Sequence, residues 1–245
     1  MKKNIIILGS TGSIGKSTVE IINKDLSNFE VLLLVSNNNY KLLYKQAIQL
    51  NAKYIYINND SKKHLLKNLI KNKKIKILNN FDEINKIVKK KIDITMSSIS
   101  GLDGLEYNLK IIKHSKKILL ANKESIICGW NLIKKITLKY KTKLIPIDSE
   151  HFSIMKIIEN QKKQDIKKVY LTASGGPFLN FKIEKLKKVK PSEAIMHPKW
   201  KMGKKISVDS ASLMNKILEI IEAQKLFSID LKKIDIVIHP QSLVH

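Results

Sequence analysis

Two acidic segments and one glycine run are the parts of this chain whose residue types and spacing could do chemistry. In Leu144-Ile145-Pro146-Ile147-Asp148-Ser149-Glu150-His151, Asp148 and Glu150 lie just past an apolar strand. Residues two apart on an extended segment face one side. Two carboxylates held together repel unless a cation lies between them or one takes up a proton. Oxygen donors without thiolate suit Mg²⁺ or Mn²⁺ rather than zinc, yet an Asp-x-Glu by itself is more often a wet loop. Further on, Asn215, Glu219 and Glu222 recur at i, i+4 and i+7, with Lys216 beside them. They share a segment from about 212 to 227 with Leu213, Ile217, Ile220, Ile221 and Leu226. That spacing predicts a helix with a polar stripe, which is either its solvent face or the wall of a site.

The glycine run is Gly9-Ser10-Thr11-Gly12-Ser13-Ile14-Gly15, after the apolar stretch ending at Leu8. Between a buried strand and a helix, such glycines let backbone N–H groups and a helix N-terminus approach a pyrophosphate. A tight turn without ligand is the alternative. The second expected strand ends Val35-Ser36-Asn37-Asn38-Asn39, with no carboxylate to repel a 2′-phosphate, so NADP is expected over NAD. No cation occupies those positions either, and Lys41 is the nearest candidate. Ser174-Gly175-Gly176-Pro177 could form an anion nest or an ordinary turn. Met196 to Gly203, with His197, Pro198 and Trp200, could fold over a substrate or pack a structural tryptophan.

The elements that must position these residues alternate as in a doubly wound α/β domain. Strands are expected at 4–8, 31–35, 54–57, 75–78, 92–95 and 117–120, with helices at 16–23 and 40–50. From about residue 146 the pattern changes to isolated strands, glycine-bearing loops and one long helix. We therefore expect an N-terminal Rossmann-like NADPH domain over 1–145 and an α+β catalytic domain over 146–245, incomplete at its C-terminus.

Composition narrows the classes. The 245 residues are 43% hydrophobic, enough for a sizeable core. No run approaches the length a membrane helix needs, and Ile5 to Leu8 is too short for a signal peptide. A cytoplasmic protein is expected, or an organellar one after removal of a leader. The formal charge of +25 invites a nucleic-acid reading, but every basic residue is lysine. The absence of arginine, the usual reader of bases and phosphates, argues against nucleic acid as partner. Cys128 is the one cysteine, which rules out an intrachain disulfide, and it is expected as a small buried filler.

Taken in order, GSTGSIG, LLANKES, IPIDSEH, LTASGGPF, HPKWKMG, SVDSASLMNKILE and IHPQSLVH resemble the 1-deoxy-D-xylulose 5-phosphate reductoisomerase family from residue 4 to 245. The resemblance implies a homodimer that rearranges this phosphorylated sugar and reduces it with NADPH and Mn²⁺ or Mg²⁺, with Co²⁺ a further option. It implies Asp148, Glu150 and Glu219 as metal ligands and Lys123 beside substrate and metal. Ser149 and Glu150 would contact sugar hydroxyls; Ser174, Ser210, Asn215 and Lys216 would hold the phosphate. His197 and Trp200 would belong to a lid. Thr11, Gly12, Ser13, Ile14, Asn37, Asn38, Asn39, Asn122, Glu124 and Gly203 would line the NADPH site, and His151 and His245 match histidines near the family's active site.

The chain departs from the family where Asn37-Asn38-Asn39 replace a more basic stretch, in Ile99 to Leu105, and at Lys199. The family also continues past His245 through further strands and a helical C-terminal domain. Without them a sheet edge and apolar surface would be uncovered. A chain of this length is expected to be poorly stable or inactive, a fragment or remnant that still binds nucleotide.

Overall fold

The computed structural model describes residues 2–70, 74–196 and 203–244. His197, Lys199 and Trp200 of the expected lid, and His245, lie outside the described residues. The chain divides into two compact units, Met1–Ile147 and Asp148–His245.

The first unit alternates strand and helix. Its strands are β1 (Lys3–Leu8), β2 (Phe29–Ser36), β3 (Tyr54–Ile57), β4 (Lys76–Ile77), β5 (Ile92–Ser97), β6 (Ser115–Leu120) and β7 (Lys143–Pro146). Its helices are α1 (Ser13–Asn23), α2 (Tyr40–Gln49), α3 (Asp60–Leu69), α4 (Ile84–Ile87), α5 (Asp103–Ile111) and α6 (Lys123–Tyr140). All seven strands are parallel, in the order β4-β3-β2-β1-β5-β6-β7. Parallel strands covered on both faces read as continuous apolar runs rather than alternating ones. This is why Ile6, Ile7 and Leu8, and Leu33 and Leu34, are all fully buried. Each such side chain contributes roughly 1.5–3 kcal/mol on burial. The chain builds outward from β1 to β4, then returns to the other side of β1 with β5. That reversal makes a crevice beyond the C-terminal ends of β1 and β5, the place where ligands bind in open α/β sheets.

Cys128 is exposed, contrary to the expectation of a buried filler. The buried residues of α6 are Lys123, Ser125, Ile126, Gly129 and Ile133, and helical rotation turns position 128 away from that face.

The second unit has two parallel strands, β8 (Val169–Ala173) and β9 (Ile234–Ile238). Its helices are α7 (Ser149–Ile158), α8 (Ile183–Leu186), α9 (Pro191–Ala194), α10 (Lys204–Ala211) and α11 (Met214–Phe227). Ile154, Leu171, Ala223, Ile229 and Ile234 form its core. Tyr170 on β8 and Ile236, Val237 and Ile238 on β9 stay exposed. The long helix expected from about 212 to 227 is α11; α10 precedes it, and the two are separated where Leu213 adopts a left-handed conformation with φ 58°. Among the described residues no helix is long and apolar enough to cross a membrane.

Candidate functional site

In the first unit, the loop after β1 meets the loop after β5. Gly9 has φ +80°, and a Cβ there would lie 2.7 Å from the Ser98 carbonyl. A Cβ on Gly15 would lie 2.1 Å from the Gly9 carbonyl, so only glycine lets α1 start this close beneath the turn. Gly12 N-caps α1 without any side-chain cap, so first-turn N–H groups stay open to a ligand. Three polar contacts brace the turn. Gln46 Nε2 donates to the Ser10 carbonyl at 2.9 Å, Ser98 Oγ donates to the Leu8 carbonyl at 2.7 Å, and Thr11 Oγ1 shares a 2.7 Å hydrogen bond with Ser36 Oγ.

A cavity of about 240 Å³ opens there, and Thr11, Gly12 and Asn37 line it with Ser98, Asn58 and Tyr107. Of the residues expected at a nucleotide, Ser13 and Ile14 begin α1 as exposed residues. Asn38 accepts from Asn59, and the Asn39 side chain caps α2 by accepting from Leu42 N at 3.1 Å. Asn122 has both ends of its amide committed. Its Oδ1 accepts from Ser125 N to cap α6, while its Nδ2 donates to the carbonyls of Ile99 and Gly101 and contacts Glu124. Lys123, the first residue of α6, is 5% exposed. Gly203 N-caps α10 in the second unit.

The second unit assembles the acidic residues. Asp148 and Glu150 do not lie on an extended segment as the spacing suggested. Asp148 is the N-cap of α7 and Glu150 sits in its first turn, where the helix dipole favours negative charge. On α11 the buried positions are Lys216, Glu219, Glu222 and Ala223, while Ile217 is 48% exposed. The polar stripe is therefore the inward face, which periodicity had left undecided. Carboxylate oxygens of Asp148, Glu150 and Glu219 come within 4.8 Å of one another, and so do ligand atoms of Asp148, His151 and Glu222.

Two cations balance part of this charge. Lys216 Nζ donates to Glu219 Oε2 at 2.7 Å and to Glu150 Oε1. Burial opposes its charge most, but Glu219 and Glu150 outweigh burial and raise its pKa. His151 is fully buried, with Nδ1 3.1 Å from Asp148 Oδ1 and 3.6 Å from Glu222 Oε2. Its Nε2 lies 2.9 Å from the Glu219 carbonyl, which can only accept, so Nε2 carries a proton. Burial again pulls the imidazole down; the Asp148 hydrogen bond and the Glu222 and Asp148 charges prevail and hold it up at about 9. Acidic groups outnumber the two basic ones here, an excess that a divalent cation would suit. The donor set, all oxygen from carboxylates, fits Mg²⁺ or Mn²⁺.

The remaining expected residues divide. Asn215 Nδ2 donates to Glu219 Oε1, and Ser149 Oγ donates to Glu150 Oε2 at 2.8 Å, so both support ligand carboxylates. Ser174 and Ser210 are brought together by Gly176. A Cβ at Gly176 would lie 2.7 Å from the Ser210 carbonyl, and Gly176 N lies 3.4 Å from Ser174 Oγ. Lys216 is at the carboxylates. Reasoning from sequence overlooked Gln46, Asn58, Asn59, Ser98 and Tyr107; of these, Asn58-Asn59 after β3 carried a strand-end signal.

The family profile for 1-deoxy-D-xylulose 5-phosphate reductoisomerase matches residues 5–129, and that for the same enzyme's C-terminal domain matches residues 144–227. A curated relative of that name from Pelagibacter ubique strain HTCC1062 is 51% identical over 245 residues, covering 99% of this chain and 63% of the relative. One from Wolbachia pipientis of Culex pipiens is 44% identical over 244 residues, covering 99% and 62%. A solved reductoisomerase from Zymomonas mobilis in complex with NADPH superposes with a TM-score of 0.90 at 36% identity, covering 100% of this chain and 63% of that one. Another, in complex with NADPH, fosmidomycin and magnesium, has a TM-score of 0.90 at 34% identity, covering 99% and 62%. The chain thus spans somewhat under two thirds of the length of these relatives.

Proposed function

This chain belongs to the 1-deoxy-D-xylulose 5-phosphate reductoisomerase family, and from that premise we propose that it serves the NADPH- and divalent-metal-dependent conversion of 1-deoxy-D-xylulose 5-phosphate to 2-C-methyl-D-erythritol 4-phosphate. The observation that carries this reading is the carboxylate cluster of buried Glu219 with the partly buried Asp148 and Glu150. Solved relatives that hold NADPH and magnesium support the choice of cofactors.

Asp148, Glu150 and Glu219 would hold Mn²⁺ or Mg²⁺, which supplies Lewis-acid polarisation of substrate oxygens, while NADPH supplies the hydride. The chain's own residues do the rest. Lys216, Asn215 and Ser149 orient Glu219 and Glu150 by donating hydrogen bonds to them. His151 joins the Asp148 carboxylate to the backbone of the helix that carries Glu219, keeping ligands from α7 and α11 in register. Ser174 and Ser210, gathered by Gly176, would take the substrate phosphate; the ammonium of Lys216, expected there as well, is held by Glu150 and Glu219. The turn from Gly9 to Gly15 would cradle the dinucleotide pyrophosphate, with Thr11, Gly12 and Asn37 at the cavity. Homodimerisation follows from the same family reading.

The test is loss of NADPH absorbance with the sugar phosphate and Mn²⁺, alongside calorimetric Mn²⁺ binding to this chain. Metal-dependent oxidation and stoichiometric Mn²⁺ binding, both abolished in the Asp148→Asn/Glu219→Gln variant, are expected. Mn²⁺ binding that survives in the variant would show that these carboxylates are not the ligands.

A further inference from the structure

Resting on the dinucleotide reading of the first unit, we infer that this chain discriminates weakly between NADPH and NADH, because the end of β2 presents neutral amide donors. In dinucleotide folds an acid near this point takes the ribose 2′-hydroxyl and repels a 2′-phosphate, whereas a cation accommodates the phosphate. Here β2 ends at Ser36 and is followed by Asn37, Asn38 and Asn39, which carry neither charge.

Two hydrogen-bond relays decide which end of each amide faces outward. Asn59 Oδ1 caps α3, accepting from Ser61 N at 3.0 Å and Lys62 N at 3.3 Å. That commitment turns Asn59 Nδ2 away from the helix, and it donates to Asn38 Oδ1 at 2.8 Å. With its oxygen engaged, Asn38 keeps Nδ2 as its outward group. The second relay runs in parallel. Tyr56 OH donates to Asn58 Oδ1 at 3.1 Å, and Asn58 Nδ2 faces Asn37 Oδ1 at 3.5 Å. Backbone bonds from Asn58 N to the Ser36 carbonyl and from Asn59 N to the Asn37 carbonyl, 3.0 and 3.1 Å, clamp the two strand ends together.

The result is a pair of preset N–H donors at the exposed end of β2, where Asn37 lines the cavity and Asn38 follows it in the chain. An amide N–H serves a ribose hydroxyl or a phosphate oxygen alike, and without charge it gains little from the phosphate's extra anionic character. Among the described residues lining the cavity there is no lysine, and the one charged side chain is Asp103. Lys63 is drawn to Asp60 and the Asn79 carbonyl.

The experiment is calorimetric titration of NADPH and of NADH into the chain, after its cooperative unfolding has been confirmed. About 0.3 M salt screens the overall positive charge. Dissociation constants within about tenfold of each other are expected. Asn38→Asp should weaken NADPH relative to NADH by about tenfold or more, and Asn38→Lys should shift the ratio about as far the other way. Asn59→Asp keeps the α3 cap but cannot donate, so Asn38 turns its oxygen outward; NADPH should weaken several-fold with the melting temperature unchanged. NADPH binding about 100-fold tighter than NADH in the native chain would overturn the inference, as would an Asn38→Asp variant with an unaltered ratio. A large preference removed by Lys41→Gln would place the discriminator at Lys41 instead. If neither nucleotide binds the folded native chain or the Asn38→Lys variant, the dinucleotide reading itself fails.

Discussion

The polar groups that face the crevice of the first unit are mainly hydroxyls and asparagine amides, with Asp103 the one charged side chain among the described lining residues, whereas the buried face of α11 in the second carries Lys216, Glu219 and Glu222. The first arrangement is built by close approach: glycines at positions 9 and 15 remove the side chains that would keep strand, turn and helix apart. The second is built by charge, with an ammonium and an imidazole holding carboxylates that would otherwise repel. A neutral site depends mainly on steric fit, so it is preformed without its ligand. A charged site keeps a residual need for counter-charge, so its stability is linked to what it binds.

Removing a cation should separate the two most sharply. Lys216→Met strips the ammonium from two buried carboxylates, a change of the kind that costs about 3–5 kcal/mol. Amides of α11 should lose hydrogen-exchange protection by that amount and those of β1 should not; an unchanged α11 would break the comparison. The steric counterpart is Gly15→Ala, whose Cβ would meet the Gly9 carbonyl at 2.1 Å. We expect a loss of about 3 kcal/mol confined to the first unit, read by exchange at β1 and α1. Ligand linkage comes next: Mn²⁺ at about 100 times its dissociation constant should stabilise the second unit by about 2.7 kcal/mol. Equal stabilisation of the Asp148→Asn/Glu219→Gln variant in a melting experiment would show that the ion acts elsewhere. The smallest effect is expected from Asn39→Ala, which deletes the α2 cap and should lower stability by about 1 kcal/mol in chemical denaturation.

Legibility followed the range of the interactions. The turn from Gly9 to Gly15 was readable because strand, turn and helix are contiguous, and fully buried parallel strands announce themselves as unbroken apolar runs. Asp148 and Glu150 were placed together but for the wrong reason, since the segment after Ile147 enters a helix. The stripe of Glu219 and Glu222 could be drawn from spacing but not oriented, because a polar face is buried only when something distant supplies its counter-charge. For Glu222 that partner is His151, 71 residues earlier, whose Nδ1 lies 3.6 Å from the carboxylate. Asn58 and Asn59 escaped notice because their role exists only once β3 lies beside β2.

By itself the amino-acid order determined the parallel α/β character of the first unit, the glycine turn and the identity of the acidic donors. Those are consequences of local backbone freedom and of apolar patterning along short stretches. Only the tertiary structure decided that α11 turns its charges inward, that Lys216 and His151 together offset part of the charge of the carboxylate cluster, and that the amides after β2 present donors. Each of these depends on where groups far apart in sequence meet, and the cost of burying a charge or an amide is settled by its partners at that meeting point.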